Sequence, residues 1–188
     1  MATSVSSDAY NVHVVEEAGM PPGLDREIRE FFCVCFPEDA GTFTQTRHWH
    51  GAAPVASVVC RDQRPGLAGH VGVVVRTIQV GEERRRIFGI QNMAVAPDRR
   101  GTPVGATLMQ AALAEARRRG IAHGVLFCTP ALEKYYARTG WRRCDVAVCM
   151  DWAGQRGVPA PGKNICMVHE VAGQAFPDGD IHLLGPDW

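Results

Sequence analysis

A mixed, mostly antiparallel sheet of about seven strands flanked by helices is the fold this sequence predicts, an α/β (α+β) arrangement. Three observations carry it. Several β-branched runs of five to thirteen residues recur along the chain with turn residues between them. Two stretches switch to a 3.6-residue apolar period. The order is strand, helix, several strands, then strand–loop–helix–strand–helix–strand–strand.

The elements follow in order. Residues 1–9 are polar and read as a flexible tail. Residues 10–17 alternate weakly and read as a first strand. Met20-Pro-Pro-Gly23 is a turn. Leu24, Ile28, Phe31, Phe32 and Cys35 have helical spacing, and Pro37 stops that helix. Residues 38–53 hold His48, Trp49 and His50 in a loop or short helix suited to ligand contact. Residues 54–60 and 68–80 form an antiparallel hairpin across Arg61-Asp-Gln-Arg-Pro-Gly66. After the turn at Val80-Gly-Glu-Glu83 comes a strand over 85–96.

Leu108, Met109, Ala112, Leu113 and Ala116 then line one face of a helix over 103–119. Thr102 is its expected N-cap, Pro103 its first residue and Gly120 its C-terminal stop. Residues 121–128 make a short buried strand, 130–139 a second helix ending at Gly140, and 141–150 and 165–171 two more strands. A Gly/Pro-rich connection over 154–162 joins the last two.

The composition narrows the function. The chain has 188 residues with 46% hydrophobic and 21% charged, enough for an ordinary core and close to one domain in length. Lys+Arg and Asp+Glu are 20 each. A neutral chain is a poor partner for a phosphate backbone, so no nucleic acid is expected. No apolar run approaches the roughly 18 residues of a membrane span, and no signal peptide is expected. The seven cysteines are scattered, without metal-ligand spacing, so the expectation is a reduced, cytoplasmic protein with no metal and no membrane association.

Two motifs carry chemistry. Ala96-Pro-Asp-Arg-Arg-Gly-Thr-Pro-Val-Gly105 links a strand to a helix N-terminus. Backbone amides and the positive end of the helix dipole there suit a phosphate, and Arg99 and Arg100 add donors. Leu132-Glu-Lys-Tyr-Tyr-Ala-Arg-Thr-Gly-Trp141 places Tyr135 and Tyr136 one turn before a glycine stop. A tyrosine hydroxyl there either donates a proton to a leaving group or only packs.

Together, Val95-Ala-Pro97-Asp-Arg-Arg100-Gly101-Thr-Pro103-Val-Gly105 and Tyr136-Ala-Arg-Thr-Gly140-Trp141 resemble the acyl-CoA signature of the GNAT N-acetyltransferase superfamily. The resemblance implies a single GNAT domain over 1–188 with acetyl-CoA as co-substrate. The main chain of Met93 and Val95 would pair with pantetheine. The amides around Arg100, Gly101, Thr102, Val104, Gly105 and Ala106 would cradle the pyrophosphate. Tyr136 would be the general acid, and a primary amine would attack the thioester directly.

Two positions depart from the pattern. Pro103 replaces a glycine and removes one N–H. Gln91 occupies the catalytic strand position where many relatives have a glutamate base, and glutamine takes no proton at neutral pH.

Two closer resemblances point to an amine on a sugar. Gly69-His-Val-Gly-Val-Val-Val-Arg76, Gln91, Phe176-Pro-Asp-Gly-Asp180 and Trp188 look like the aminoglycoside 2′-N-acetyltransferases. The tail from Phe176 to Asp187 and Arg47-His-Trp49 look like the nodulation N-acyltransferases NodA, which move a fatty acyl group onto a glucosamine oligomer. The implied partner is a small-molecule amine, probed by carboxylates at Asp39 and Asp180 and by stacking on Trp49 and Trp188. In that reading 172–188 lies near the acceptor. The alternative is that the tail acids are solvated and Trp188 caps the core edge. A monomer or homodimer is expected. Cys128, at a strand end without an adjacent base, reads as packing. A non-catalytic module that binds acyl-CoA is the competing class.

Overall fold

The computed structural model describes residues 3–7, 10–49 and 52–188. His50 and Gly51, part of the loop singled out for ligand contact, lie outside the described residues. Eleven strands are found among the rest, and the chain divides into two compact units.

The first unit is drawn from described residues up to 48 and from 53–73 and 91–115. Strands β1 (Thr3–Ser7), β2 (Tyr10–Glu16) and β3 (Ala56–Arg61) pair antiparallel in sequence. The start of β4 (Gly69–Val80) continues the order, with Val58 opposite Val71. The segment expected to be a tail is thus a strand, with Thr3 opposite Val14 and Ser7 opposite Tyr10. Its Thr-Ser-Val-Ser-Ser sequence lacks an apolar alternation, but main-chain pairing needs none.

Helix α1 (Pro22–Cys35) begins on a proline, whose missing N–H costs nothing in a first turn. It buries Ile28, Phe32 and Cys35. Phe32 stands edge-on to His70, with ring centroids 4.8 Å apart, and meets Phe43 of the short helix α2 (Ala40–Phe43) at 5.0 Å.

The end of β5 (Glu83–Val95) and most of α3 (Val104–Arg118) complete this unit. Leu108, Met109 and Ala112 of α3, on the face read from the sequence, are fully buried, and so is Val104. The helix lies so close to Gly69 that a Cβ there would sit 2.7 Å from Leu108 Cδ1 and 2.9 Å from Val104 Cγ1. Val104, not Pro103, is the first residue of α3. The Pro103 carbonyl accepts the Thr107 amide at 2.9 Å. Thr102, expected as the cap, instead turns its hydroxyl back to the Arg99 carbonyl at 2.6 Å.

The second unit is drawn from 49–52, 74–90 and 116–188. Here β5 pairs parallel with β6 (His123–Cys128), and β6 pairs antiparallel with β10 (Ile165–Glu170). Strand β7 (Arg142–Arg143) borders β10. Strand β8 (Val148–Trp152) pairs with β9 (Gln155–Pro159) and runs parallel to β11 (Ile181–His182), which also pairs with β4. The sheet is mixed and mostly antiparallel, as expected. The strand expected over 141–150 is two strands, β7 and β8, and the connection expected over 154–162 holds β9.

Hairpin β8–β9 turns on Ala153 and Gly154, both at positive φ (51° and 80°), which is the type I′ geometry that matches strand twist. Helix α3 ends in this unit on a Schellman motif. The Gly120 amide reaches the Arg117 carbonyl at 2.9 Å and the Ile121 amide reaches that of Ala116 at 3.0 Å. The short helix α4 (Glu133–Ala137) follows β6. The core of the unit packs Ile78, Ile87, Val125, Val168, Ile181, Leu183 and Trp188.

Candidate active site

The sequence-predicted residues fall into two groups, one in each unit. The first unit holds Asp39, Gln91, Met93, Val95 and the loop from Arg100 to Ala106. The second holds Trp49, Tyr136, Asp180 and Trp188.

In the first unit, β5 ends at Val95 and the chain passes through a turn at Pro97–Arg99 into α3. Arg99 is committed to this turn. Its guanidinium reaches Asp62 at 3.2 Å, Asp98 at 3.0 Å and the Pro65 carbonyl at 3.2 Å, and only 8% of the residue is exposed. That corrects the expectation of two arginine donors: Arg99 braces the loop, and Arg100 is the exposed one. Gly101 has φ +80°, a conformation L side chains rarely adopt. Thr102 is engaged locally, its amide also reaching the Arg99 carbonyl, at 3.3 Å. Val104, Gly105 and Ala106 form the first turn of α3. First-turn amides have no intrahelical acceptor, so this turn suits an anion.

Just upstream, Gln91 is 4% exposed, and a Cβ on Gly72 would lie 3.0 Å from its Cγ. Asn92 follows with φ +48° inside β5, which marks a local distortion of the strand. Met93 and Val95 beyond it are half-buried. Asp39 is exposed at the end of a short turn, Pro37–Asp39.

A polar network that the sequence did not disclose holds the Asn92 distortion. His70 Nδ1 lies 3.2 Å from the Asn92 carbonyl, and His70 Nε2 lies 3.0 Å from Ser57 Oγ. Ser57 Oγ is 2.7 Å from Glu17 Oε1. The Arg47 guanidinium spans Glu17 (2.5 and 3.0 Å) and Asp25 (2.6 Å), and the Asn92 amide donates to the Arg47 carbonyl at 2.7 Å. Burial drives the His70 pKa down to about 3, with Arg47 adding to the effect against the bond to Asn92, so the ring is neutral. Asp25 is held below the usual carboxylate range by Arg47 and Arg29, which outweigh its burial. Six residues, from separate segments, build this network, so no local motif announces it.

In the second unit, Tyr136 is 7% exposed on α4, its ring edge-on to Tyr135 at 5.1 Å. Burial, with Cys128 and Tyr135 nearby, pushes its hydroxyl above the ordinary tyrosine range. The hydroxyl therefore stays protonated. Gly140 at φ +87° ends this segment. Cys128 is 5% exposed, donates to Met167 Sδ at 3.7 Å, and is pushed up to about 11 by burial. It behaves as packing, in line with the sequence reading.

Trp188 is 6% exposed. Its ring is edge-on to Phe127 at 5.3 Å and covered by the Arg76 guanidinium at 5.3 Å. A Cβ on Gly89 would lie 2.5 Å from the indole. The tail thus seats its last residue in the core of the unit. Asp180 is exposed but tied: its carboxylate accepts the Ala147 amide at 3.1 Å, and its carbonyl accepts that of Gly81 at 2.9 Å. Trp49 is half-buried, with its carbonyl bonded to the Ala52 amide. A cavity of about 420 Å³ opens in this unit, walled by Phe127, Val146, Val148, Pro161, Ile165 and Asp187.

Among the described residues, no group of three or more His, Cys, Asp or Glu could hold a metal ion. No helix among them is long and apolar enough to cross a membrane.

A family model described as Nodulation protein A (NodA) matches residues 12–154. Nodulation protein A from Bradyrhizobium sp. (strain NC92) is 32% identical over 116 residues, which is 60% of this chain and 54% of that relative. The chain thus spans little more than half the length of that protein. Nodulation protein A from Bradyrhizobium elkanii is 30% identical over 146 residues, covering 75% of this chain and 67% of the relative. Among solved structures, the GNAT family N-acetyltransferase YhbS from Escherichia coli, in complex with CoA, aligns with a TM-score of 0.66. It shares 18% identity and covers 97% of this chain and 93% of its own. At that identity the likeness is one of fold: the chain has the GNAT fold.

Proposed function

The chain belongs to the nodulation protein A family, and from that premise we propose that it is an acyl-CoA-dependent N-acyltransferase acting on a primary amine of an amino sugar. The observation that carries the donor is the loop before α3. Gly101 at positive φ and the first-turn amides of Val104, Gly105 and Ala106 suit a pyrophosphate, with Arg100 exposed beside them. Pro103 supplies no N–H, so this cradle has one donor fewer. The main chain of Met93 and Val95, on the strand that enters the loop, would pair with pantetheine.

The reaction is direct attack of the neutral amine on the thioester carbonyl. The carbon–nitrogen bond forms, the carbon–sulfur bond breaks and the thiolate leaves. Tyr136, protonated throughout the neutral range, donates a hydrogen bond to the sulfur as its charge develops and is the general acid. Gln91 has no basic group, so it orients rather than deprotonates. The proton left on the new nitrogen passes to water, and one proton reaches the departing sulfur through Tyr136, which regains it from solvent, so amine and thioester become amide and thiol.

The family match favours an amino-sugar acceptor over a polyamine, and an aminoglycoside is an amino sugar of the same chemistry. A thiol-release assay with acetyl-CoA over glucosamine oligomers, aminoglycosides and polyamines tests the reading. Amine-dependent CoA release with the amino sugars is expected. Release with no amine on the panel, using acetyl or longer acyl donors, would contradict it. Acyl-CoA binding without turnover would mark a non-catalytic module.

A further inference from the structure

Asn92 is held at two points. Its main-chain oxygen meets His70 Nδ1 at 3.2 Å, and its side-chain amide donates to the Arg47 carbonyl at 2.7 Å. Both partners are anchored in turn. His70 Nε2 lies 3.0 Å from Ser57 Oγ, and the Arg47 guanidinium reaches Glu17, Asp25 and Ser57. A main-chain oxygen only accepts, so the side-chain nitrogen of Asn92 faces Arg47 and Oδ1 is the atom left over. That oxygen is buried and has no hydrogen-bond partner among the described residues. The whole residue is 6% exposed.

Packing does not account for this choice of residue. A buried acceptor without a donor is costly, and glycine would meet φ +48° with less strain. The segment that Asn92 faces carries a second such atom: His48, directly after Arg47, has a buried Nδ1 without a partner among the described residues. Two unpaired polar atoms, on either side of the hydrogen bond that joins this segment to β5, point to a polar ligand. Oδ1 accepts only, so what it takes is an N–H or an O–H. Asn92 stands between Gln91 and Met93 on β5. The main chain of Met93 and Val95 is used by pantetheine in the proposed reading, so the group at Asn92 belongs to the acceptor.

We propose that Asn92 Oδ1 accepts a hydrogen bond from the reacting amine of the acceptor and thereby selects and orients it. Naming the ligand rests on the N-acyltransferase reading above; the held, unpaired oxygen does not. A neutral primary amine has two N–H bonds and a lone pair. One N–H given to Oδ1 fixes the nitrogen and leaves the lone pair for the thioester carbonyl. A neutral amide suits this task better than a carboxylate, which would favour the ammonium form, whose lone pair is already used. His70 and Arg47 are positioning residues that act through Asn92.

Acetyl transfer to a glucosamine oligomer, compared between the unaltered protein and Asn92→Gly, tests the contact. Glycine accepts the positive φ and removes the side chain. The expected result is a kcat/KM for the amine lower by about tenfold or more, with acetyl-CoA affinity by calorimetry unchanged. A loss of both together would mark a structural role and overturn the proposal. An unchanged kcat/KM in folded Asn92→Gly would also overturn it and leave the transferase reading standing.

A second measurement needs no variant. The glucosamine oligomer and its N,N,N-trimethyl derivative, which keeps a positive charge but has no N–H, are titrated into the unaltered protein with desulfo-CoA present. The trimethyl derivative is expected to bind about tenfold or more weakly, and Asn92→Gly should abolish the difference. Equal binding to the unaltered protein, or a preference that persists in Asn92→Gly, would overturn the contact. Amine binding that depends on Asn92, without acetyl transfer, would support the site and count against the transferase reading.

Discussion

The imidazole Nδ1 of His70 lies 3.2 Å from the main-chain oxygen of Asn92, the residue at which β5 leaves regular strand geometry. That oxygen can only accept, so the hydrogen of the neutral ring is on Nδ1, and Nε2 competes with Glu17 Oε1 for the single hydroxyl hydrogen of Ser57. The ring thus ties the distorted point of β5 to β3, and through Ser57 to Glu17 and Arg47.

This relationship predicts a pH dependence of stability. The folded-state pKa of His70, about 3, lies below its unfolded value near 6.5. The unfolded chain binds the extra proton first as pH falls. The contribution is therefore complete above about pH 6.5 and is lost toward pH 3, at about 1.4 kcal/mol per pH unit. Urea unfolding from pH 7 to 4 should show that slope, and His70→Gln should lose it. A stability that does not fall over this interval would contradict a neutral buried ring.

Gly89→Ala should destabilise the protein by about 1–3 kcal/mol, because its Cβ would meet the Trp188 indole at 2.5 Å. The urea midpoint is the readout. Little change would mean that the terminal tryptophan is not seated against β5.

Pro103→Ala should tighten acyl-CoA binding by about tenfold or more, the worth of one hydrogen bond to a charged acceptor. Calorimetric affinities of the two proteins give the comparison. Unchanged affinity would remove this amide from the cradle.

Tyr136→Phe should keep acyl-CoA affinity and lower kcat by about 10²-fold or more. The hydroxyl is buried with the ring, so unfolding measurements on the variant separate catalysis from packing. Unchanged turnover in a stable variant would remove Tyr136 from the mechanism.

How much was legible in the sequence depends on how local the cause is. The face of α3 and its Gly120 stop were readable because both follow from neighbouring residues. The β8–β9 hairpin was hidden because its turn puts an alanine, Ala153, at positive φ where glycine or asparagine is usual. Strand β1 was hidden because Thr-Ser-Val-Ser-Ser carries no apolar alternation, and pairing of the main chain with β2 needs none. From the sequence, Trp188 suits a stacking platform or an edge cap. Its seat depends on Gly89, Phe127 and Arg76, which sequence spacing does not connect. Arg99 looked like a phosphate donor because Asp62, its partner across the loop, is remote in the chain. The GNAT loop itself was legible because glycine, proline and helix-start chemistry lie within one short segment.

Calorimetric titration of the unaltered protein with acetyl-CoA, alongside desulfo-CoA, tests the central claim most directly. Saturable binding of both at one site per chain, in the micromolar range typical of enzyme substrates, is the predicted result, since the pyrophosphate and pantetheine supply the contacts. No binding of either at millimolar concentration would contradict the account, because the loop before α3 would then hold no CoA.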